Sequence, residues 1–160
     1  MAQDLVKLFE CKSVLKQVFA HAIETHPREC CGMIPASGKV RRCENAIDRY
    51  HEIDPVSFPR TSADGYSFSI DDLRFLTDSL ASADPVRIVY HSHPTGDARF
   101  SKADHEAAMP DGIPPYPQLA HLIIGVESDR IGEARLYAFI DGDYREVSRL
   151  NAQPDLHASS

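Results

Sequence analysis

Two histidines, one aspartate and one serine stand in a spacing that can do chemistry: His91-Ser92-His93-Pro94, then Ser101, then Asp104. Arg87-Ile88-Val89-Tyr90 leads into His91 with β-branched and aromatic residues, so residues 86–93 read as a buried strand near the centre of a sheet. Side chains alternate faces along a strand, and His91 and His93 therefore point the same way with β-carbons roughly 6.5 Å apart. That span suits two imidazole nitrogens closing on one metal ion through bonds of about 2.0–2.1 Å. A helix could not present an i, i+2 pair in this manner.

The elements that follow must deliver the third ligand. Gly96-Asp97-Ala98-Arg99 is a turn-rich loop, and Ser101-Lys102-Ala103-Asp104 has the polar spacing of a helix N-terminus, predicting a helix over 102–109 that stops before Pro110. A strand, a short loop and a helix start bring Asp104 back over the two histidines. Alone, Ser101 and Asp104 read as a helix cap and a first-turn acid, and a lone His-x-His on a strand is weak evidence. In register, the four point to a three-ligand zinc site, one ion per chain, with the fourth position left to water whose pKa falls to about 7 on binding.

Amide hydrolysis also needs a group that takes the water's proton and hands it to the leaving nitrogen. Glu29, in Pro27-Arg28-Glu29-Cys30-Cys31-Gly32, is the candidate, because it lies where a helix ends and an apolar strand begins. On composition alone it would be a solvated loop acid.

Glu29-Cys30-Cys31-Gly32, Asn45, Ile53-Asp54-Pro55 and the His91, His93, Ser101, Asp104 string together resemble the JAMM (MPN+) metallopeptidase family, and within it the small stand-alone prokaryotic members. The likeness runs over residues 10–150. It implies that His91, His93 and Asp104 bind zinc, that Glu29 is the general acid/base, that Ser101 stabilises the oxyanion and that Ser92 tunes the site. It implies an isopeptidase or peptidase whose substrate is a ubiquitin-like or sulfur-carrier protein, cut after a Gly-Gly C-terminal tail. The short chain, without long insertions around the motif, favours a small carrier over a polyubiquitin chain. Many members carry Pro before the Ser where this chain has Phe100, so the loop over 95–100 is expected to run differently. On sequence, helix capping and oxyanion stabilisation compete for the Ser101 oxygen.

Other classes fare worse. A zinc nucleobase deaminase wants H-x-E followed by P-C-x-x-C, and His93 stands where the glutamate belongs. A non-catalytic interaction scaffold of the same fold would not need every motif position intact. A zinc peptidase acting on cell-wall or phage-tail peptides shares the chemistry but would be expected to carry a secretion signal. The net charge of −7 and the single adjacent basic pair, Arg41-Arg42, exclude a nucleic-acid stripe.

Around the motif, 160 residues with 42% hydrophobic and 26% charged side chains describe one globular domain, read here as 1–150 with a disordered tail over 151–160. Met1 to Lys7 lacks a basic start, an apolar core and a cleavage site, and the longest apolar run is far short of the ~20 residues of a membrane span. A soluble, cytoplasmic protein with no membrane partner is expected, its four cysteines reduced, although a bridge from Cys11 or Cys43 stays open.

Helices are predicted over 13–25 and 69–82, and strands over 31–36, 40–46, 119–126, 135–140 and 144–150, with a hairpin at Asp141-Gly142. That order predicts an α/β (α+β mixed) fold, a curved mixed β-sheet flanked by helices, as the resemblance also implies, with an outline related to the cytidine-deaminase fold. His105 is expected to serve at the surface or behind the ligands. His21, His26, His51, His121 and His157 have no ligand-like partner at useful spacing.

Overall fold

The computed structural model describes residues 2–151. Six strands form one mixed sheet: β1 (Cys31–Pro35), β2 (Arg41–Cys43), β3 (Val86–His93), β4 (Ala120–Glu127), β5 (Arg130–Ile140) and β6 (Asp143–Asn151), in the order β2-β1-β3-β4-β5-β6. Only β3 and β4 run parallel. The connection between them carries the helix of the motif, as a parallel crossover requires. Five helices complete the fold: α1 (Ala2–Glu10), α2 (Lys12–Thr25), α3 (Ile47–Ile53), α4 (Ile70–Ser79) and α5 (Lys102–Ala108), with one 3₁₀ turn at Pro110–Gly112.

The two faces of β3 divide the molecule. Ile88 and Tyr90 point into a core built with Phe9, Val14, Val18 and Phe19 of α1 and α2. On the opposite face Val89 packs toward Leu76 of α4, and that same period of two puts His91 and His93 on the α4 and α5 side. Burial on both faces is what makes this strand a near-continuous apolar run up to the histidines.

Sequence reading placed the central strand correctly and α2, α4 and α5 to within a few residues, but it missed two helices. α1 buries Leu5 and Phe9 in the core against the sheet, two apolar contacts in a short segment. α3 occupies the stretch after β2, which is three residues long where seven were expected. At the other end Asn151, assigned to the tail, closes β6 opposite Glu133, and the rest of that tail lies outside the described residues. All four cysteines are free; Cys30, Cys31 and Cys43 are buried and Cys11 is exposed. Among the described residues no helix is long and apolar enough to cross a membrane.

Candidate metal centre

His91 and His93 stand at the carboxyl end of β3, beside the parallel neighbour β4, where Ile123 and Gly125 pair with them. Their Nε2 atoms approach to 3.2 Å. The Asp104 carboxylate reaches both, Oδ1 at 3.0 Å from His91 and Oδ2 at 3.2 Å from His93. Four ligands on a zinc ion with bonds of about 2.0–2.1 Å are separated by roughly 3.3 Å, so the three side chains already hold the spacing such an ion requires. Two imidazole nitrogens facing each other and a shared carboxylate are also a lone-pair-rich set, which a divalent cation satisfies. His91, His93 and Asp104 therefore fit a metal.

Glu29 completes the ring. Its carboxylate lies within 4.8 Å of both histidine nitrogens, so two triads share the same imidazoles. Asp104 contacts both imidazoles directly at 3.0 and 3.2 Å, and Glu29 is the further carboxylate that could join them about an ion. Burial pushes the Glu29 carboxyl up to about 8, against the opposing pull of His93. Burial likewise lowers His91, and Asp104 only partly offsets it. For His93 burial acts in the same direction, but the Asp104 hydrogen bond and charge outweigh it and raise the imidazole. Burial would raise Asp104 too, yet bonds from both histidines hold it far below the carboxylate range. A cation among these groups reverses the logic at Glu29, favouring its ionised form.

Glu29 is fixed through its backbone. Its N–H donates to the Ser62 carbonyl at 2.7 Å, and its carbonyl accepts from the Asn45 side chain at 2.9 Å. Asn45 also donates to Gly65 and accepts from the Ile47 and Ser67 N–H groups, clamping the approach to β1, the start of α3 and the 65–67 loop to one amide. Ser92, buried on the face opposite the ligands, accepts from the Cys30 N–H at 2.8 Å and donates its own N–H to the Cys30 carbonyl. Those two bonds tie it to the residue that follows Glu29. Gly32 has a steric reason: a β-carbon there would come within 2.3 Å of the Tyr90 ring across the β1–β3 pair.

Ser101 is the exposed N-cap of α5. Its oxygen accepts from the Asp104 N–H at 3.0 Å, while Asp104 Oδ2 accepts from the Ser101 N–H, a reciprocal capping box. The cap engages a lone pair of the Ser101 oxygen, as the spacing predicts, while its hydroxyl keeps one proton to donate. The box also orients the carboxylate that contacts both histidines. His105 sits at the surface, pairing with Asp143 at 2.8 Å and tying α5 to β6.

Phe100 explains the departure before Ser101. Its ring packs against Tyr137 at 5.0 Å and Tyr144 at 5.5 Å, so aromatic packing holds the chain where a proline would otherwise restrict it. Ala98, fully buried, is gripped by its N–H to Glu133 and its carbonyl to the Tyr137 hydroxyl. The loop's own Gly96 carbonyl crosses so near β4 and β5 that a β-carbon at Gly125 or Gly132 would sit within 2.6 Å of it. Glu133, Tyr137, Gly125 and Gly132 carry no motif, and sequence reasoning missed them. Tyr66 was missed as well; its ring stacks on His91 at 4.4 Å.

The site opens on a polar cleft of about 420 Å³ lined by Glu29, Asp64, His93, Asp97, Arg99 and Ser101. A smaller groove of about 180 Å³ passes Asp104 between α5 and the 57–67 segment.

A solution structure of a protein from Desulfitobacterium hafniense is similar to this chain at 21% identity and a TM-score of 0.57, covering 85% of this chain and 86% of that one. One from Salinibacter ruber matches at 20% identity and a TM-score of 0.49, covering 89% and 90%. A crystal structure of a JAB1/MPN domain protein from Archaeoglobus fulgidus matches at 18% identity and a TM-score of 0.43, covering 86% and 94%. Among curated proteins none matches the chain. The profile of the prokaryotic homologues of the JAB domain matches residues 11–138, taking in Glu29, both histidines, Ser101 and Asp104, and the chain belongs to that family.

Proposed function

We propose that the protein is a zinc-dependent peptidase or isopeptidase that hydrolyses the amide bond after the Gly-Gly terminus of a ubiquitin-like or sulfur-carrier protein. The observation that carries this reading is the convergence of His91, His93 and Asp104 at 3.0–3.2 Å with a buried carboxyl, Glu29, beside them. Zinc held by those three ligands supplies a Lewis acid and lowers the pKa of a bound water to about 7.

The remaining work falls to this chain's own side chains. Glu29, walled in by its backbone anchors, accepts the proton of the attacking water and returns it to the leaving nitrogen as the carbon–nitrogen bond breaks. Ser101 directs its free hydroxyl proton toward the carbonyl oxygen as negative charge gathers there. The groove beside Asp104 is small, about 180 Å³, which favours an extended tail ending in glycines that carry no side chain to clash with its walls.

The test uses zinc-loaded protein and a carrier fusion with a peptide after Gly-Gly. Release of the peptide is expected, with Glu29→Gln lowering the rate by about 10²–10⁴-fold. Cleavage indifferent to that substitution or to a chelator would contradict the proposal.

A further inference from the structure

Asn45, in the turn between β2 and α3, uses every hydrogen-bonding position of its amide on the backbone. Its Nδ2 donates to the Glu29 carbonyl at 2.9 Å and to the Gly65 carbonyl at 3.0 Å, and its Oδ1 accepts from the Ile47 N–H at 3.2 Å and the Ser67 N–H at 3.0 Å. An amide offers two donors and two lone pairs, so all four are engaged. Both carbonyls stand on the nitrogen side and both N–H groups on the oxygen side. A carboxylate of the same size would set an acceptor against two acceptors.

The segment it grips brackets Tyr66. Gly65 and Ser67 are the chain neighbours of that residue, and the Ser67 carbonyl also accepts from the Ala46 N–H at 2.8 Å. Backbone held on both sides leaves the Tyr66 ring only its own two torsions, and packing settles those: the ring lies T-shaped against Phe68 at 5.6 Å between centroids.

Tyr66 in turn faces His91. The two rings stack at 4.4 Å with their planes 23° apart, and His91 is 1% exposed. His91 meets Asp104 and His93 through Nε2. Among the described residues no hydrogen bond reaches its Nδ1, the nitrogen through which a metal-binding histidine ordinarily gains the partner that orients its ring. Contacts at Nε2 hold one corner of the imidazole, and a flat surface packed along its face supplies the second support that fixes the plane. One amide thus reaches two parts of the site, the Glu29 backbone directly and His91 by way of Tyr66.

We propose that Tyr66 and Asn45 are positioning residues of the metal centre. Tyr66 sets the plane of the His91 ring in place of a hydrogen bond at Nδ1. Asn45 holds Tyr66 and Glu29 in one register, so that the metal ligand and the acid/base carboxyl keep a fixed separation. The proposal rests on the metal-dependent reading above.

Cobalt(II) is the probe, its affinity measured by competition with a chelating indicator and its geometry by the visible absorption of the bound ion. Tyr66→Leu, which fills space without a flat face, is expected to weaken binding by about 10–100-fold and to alter the spectrum, whereas Tyr66→Phe keeps both at wild-type values. Asn45→Asp is expected to weaken binding in the same range. The double variant, Asn45→Asp with Tyr66→Leu, is expected to bind no more weakly than the weaker single variant, because both changes act on the metal through one ring. A change that only destabilised the fold would lower the urea midpoint and leave the affinity and spectrum of the folded protein alone. Wild-type affinity in Tyr66→Leu, or a Tyr66→Phe protein as weak as Tyr66→Leu, would overturn the role of Tyr66, and additive losses in the double variant would overturn that of Asn45. Should Asn45→Asp fail to fold, Asn45→Ser takes its place in the cycle. If wild-type protein takes up no cobalt, the metal reading fails on its own account, and crystal structures of wild type and Tyr66→Leu still decide: a His91 ring turned out of its contact with Asp104 in the variant alone supports the positioning role, and an unmoved ring refutes it.

Discussion

Ser101 caps α5 with a lone pair, the mechanism proposed above gives its proton a second duty toward the substrate, and one substitution reads the two apart. Ser101→Ala is expected to lower kcat by about 10²–10³-fold while costing about 1 kcal/mol of stability through the lost cap; steady-state kinetics and urea unfolding on the same preparation check both. A fall in stability with unchanged kcat would reduce the residue to a cap. At this scale the sequence is most readable, because holding one ion would dictate residue type and spacing together: His91, His93 and Asp104, expected as ligands, approach one another at 3.0–3.2 Å, and Glu29 lies beside the two histidines. Tyr66, stacked on His91, was illegible for the opposite reason. Any flat apolar ring can fill that role, and nothing in the local pattern around Gly65-Tyr66-Ser67 marks it.

The elements hold those side chains by close approach and by clamps on the backbone. Gly32 is the sharpest case, since the atoms a β-carbon would meet belong to the rigid Tyr90 ring and cannot swing aside. Gly32→Ala is expected to destabilise the protein by about 1–3 kcal/mol, read as a lower urea midpoint at unchanged slope; an unaltered midpoint would show that β1 and β3 have slack there. The long strands and α2 were visible through their periodicity. α3 was not: it is seven residues long, with only Ile47 buried, and so has no apolar stripe to announce it. The grip on Ala98 by Glu133 and Tyr137 was equally hidden, because it joins the motif loop to a strand more than thirty residues away through ordinary residue types. Phe100, noted as a departure, proves to be the aromatic anchor of that loop.

Across the whole molecule the sheet separates a dry core, under α1 and α2, from the face that carries His91, His93 and Asp104. His21 lies buried on the dry side, its Nδ1 in a hydrogen bond of 2.7 Å with the Tyr90 hydroxyl, and burial lowers its pKa to about 4. The unfolded chain, with an ordinary value near 6.5, binds that proton first as the pH falls, so this contribution is whole above about 6.5 and is lost between there and about 4. By about pH 5 the loss amounts to roughly 2 kcal/mol. His21→Gln should therefore narrow the gap between urea stabilities measured near neutrality and at about pH 5, and an identical gap in both proteins would contradict the linkage. The layered α/β arrangement was foreseeable from the order of elements, whereas the strand order, with a single parallel pair beside the ligands, was not, since it depends on contacts far apart in the chain. The most direct measurement is metal content by mass spectrometry after dialysis against trace zinc. About one ion per chain is expected for the wild type and for Glu29→Gln, with loss on Asp104→Ala or His91→Ala; zinc-free wild-type protein, or full retention in both ligand variants, would contradict the account.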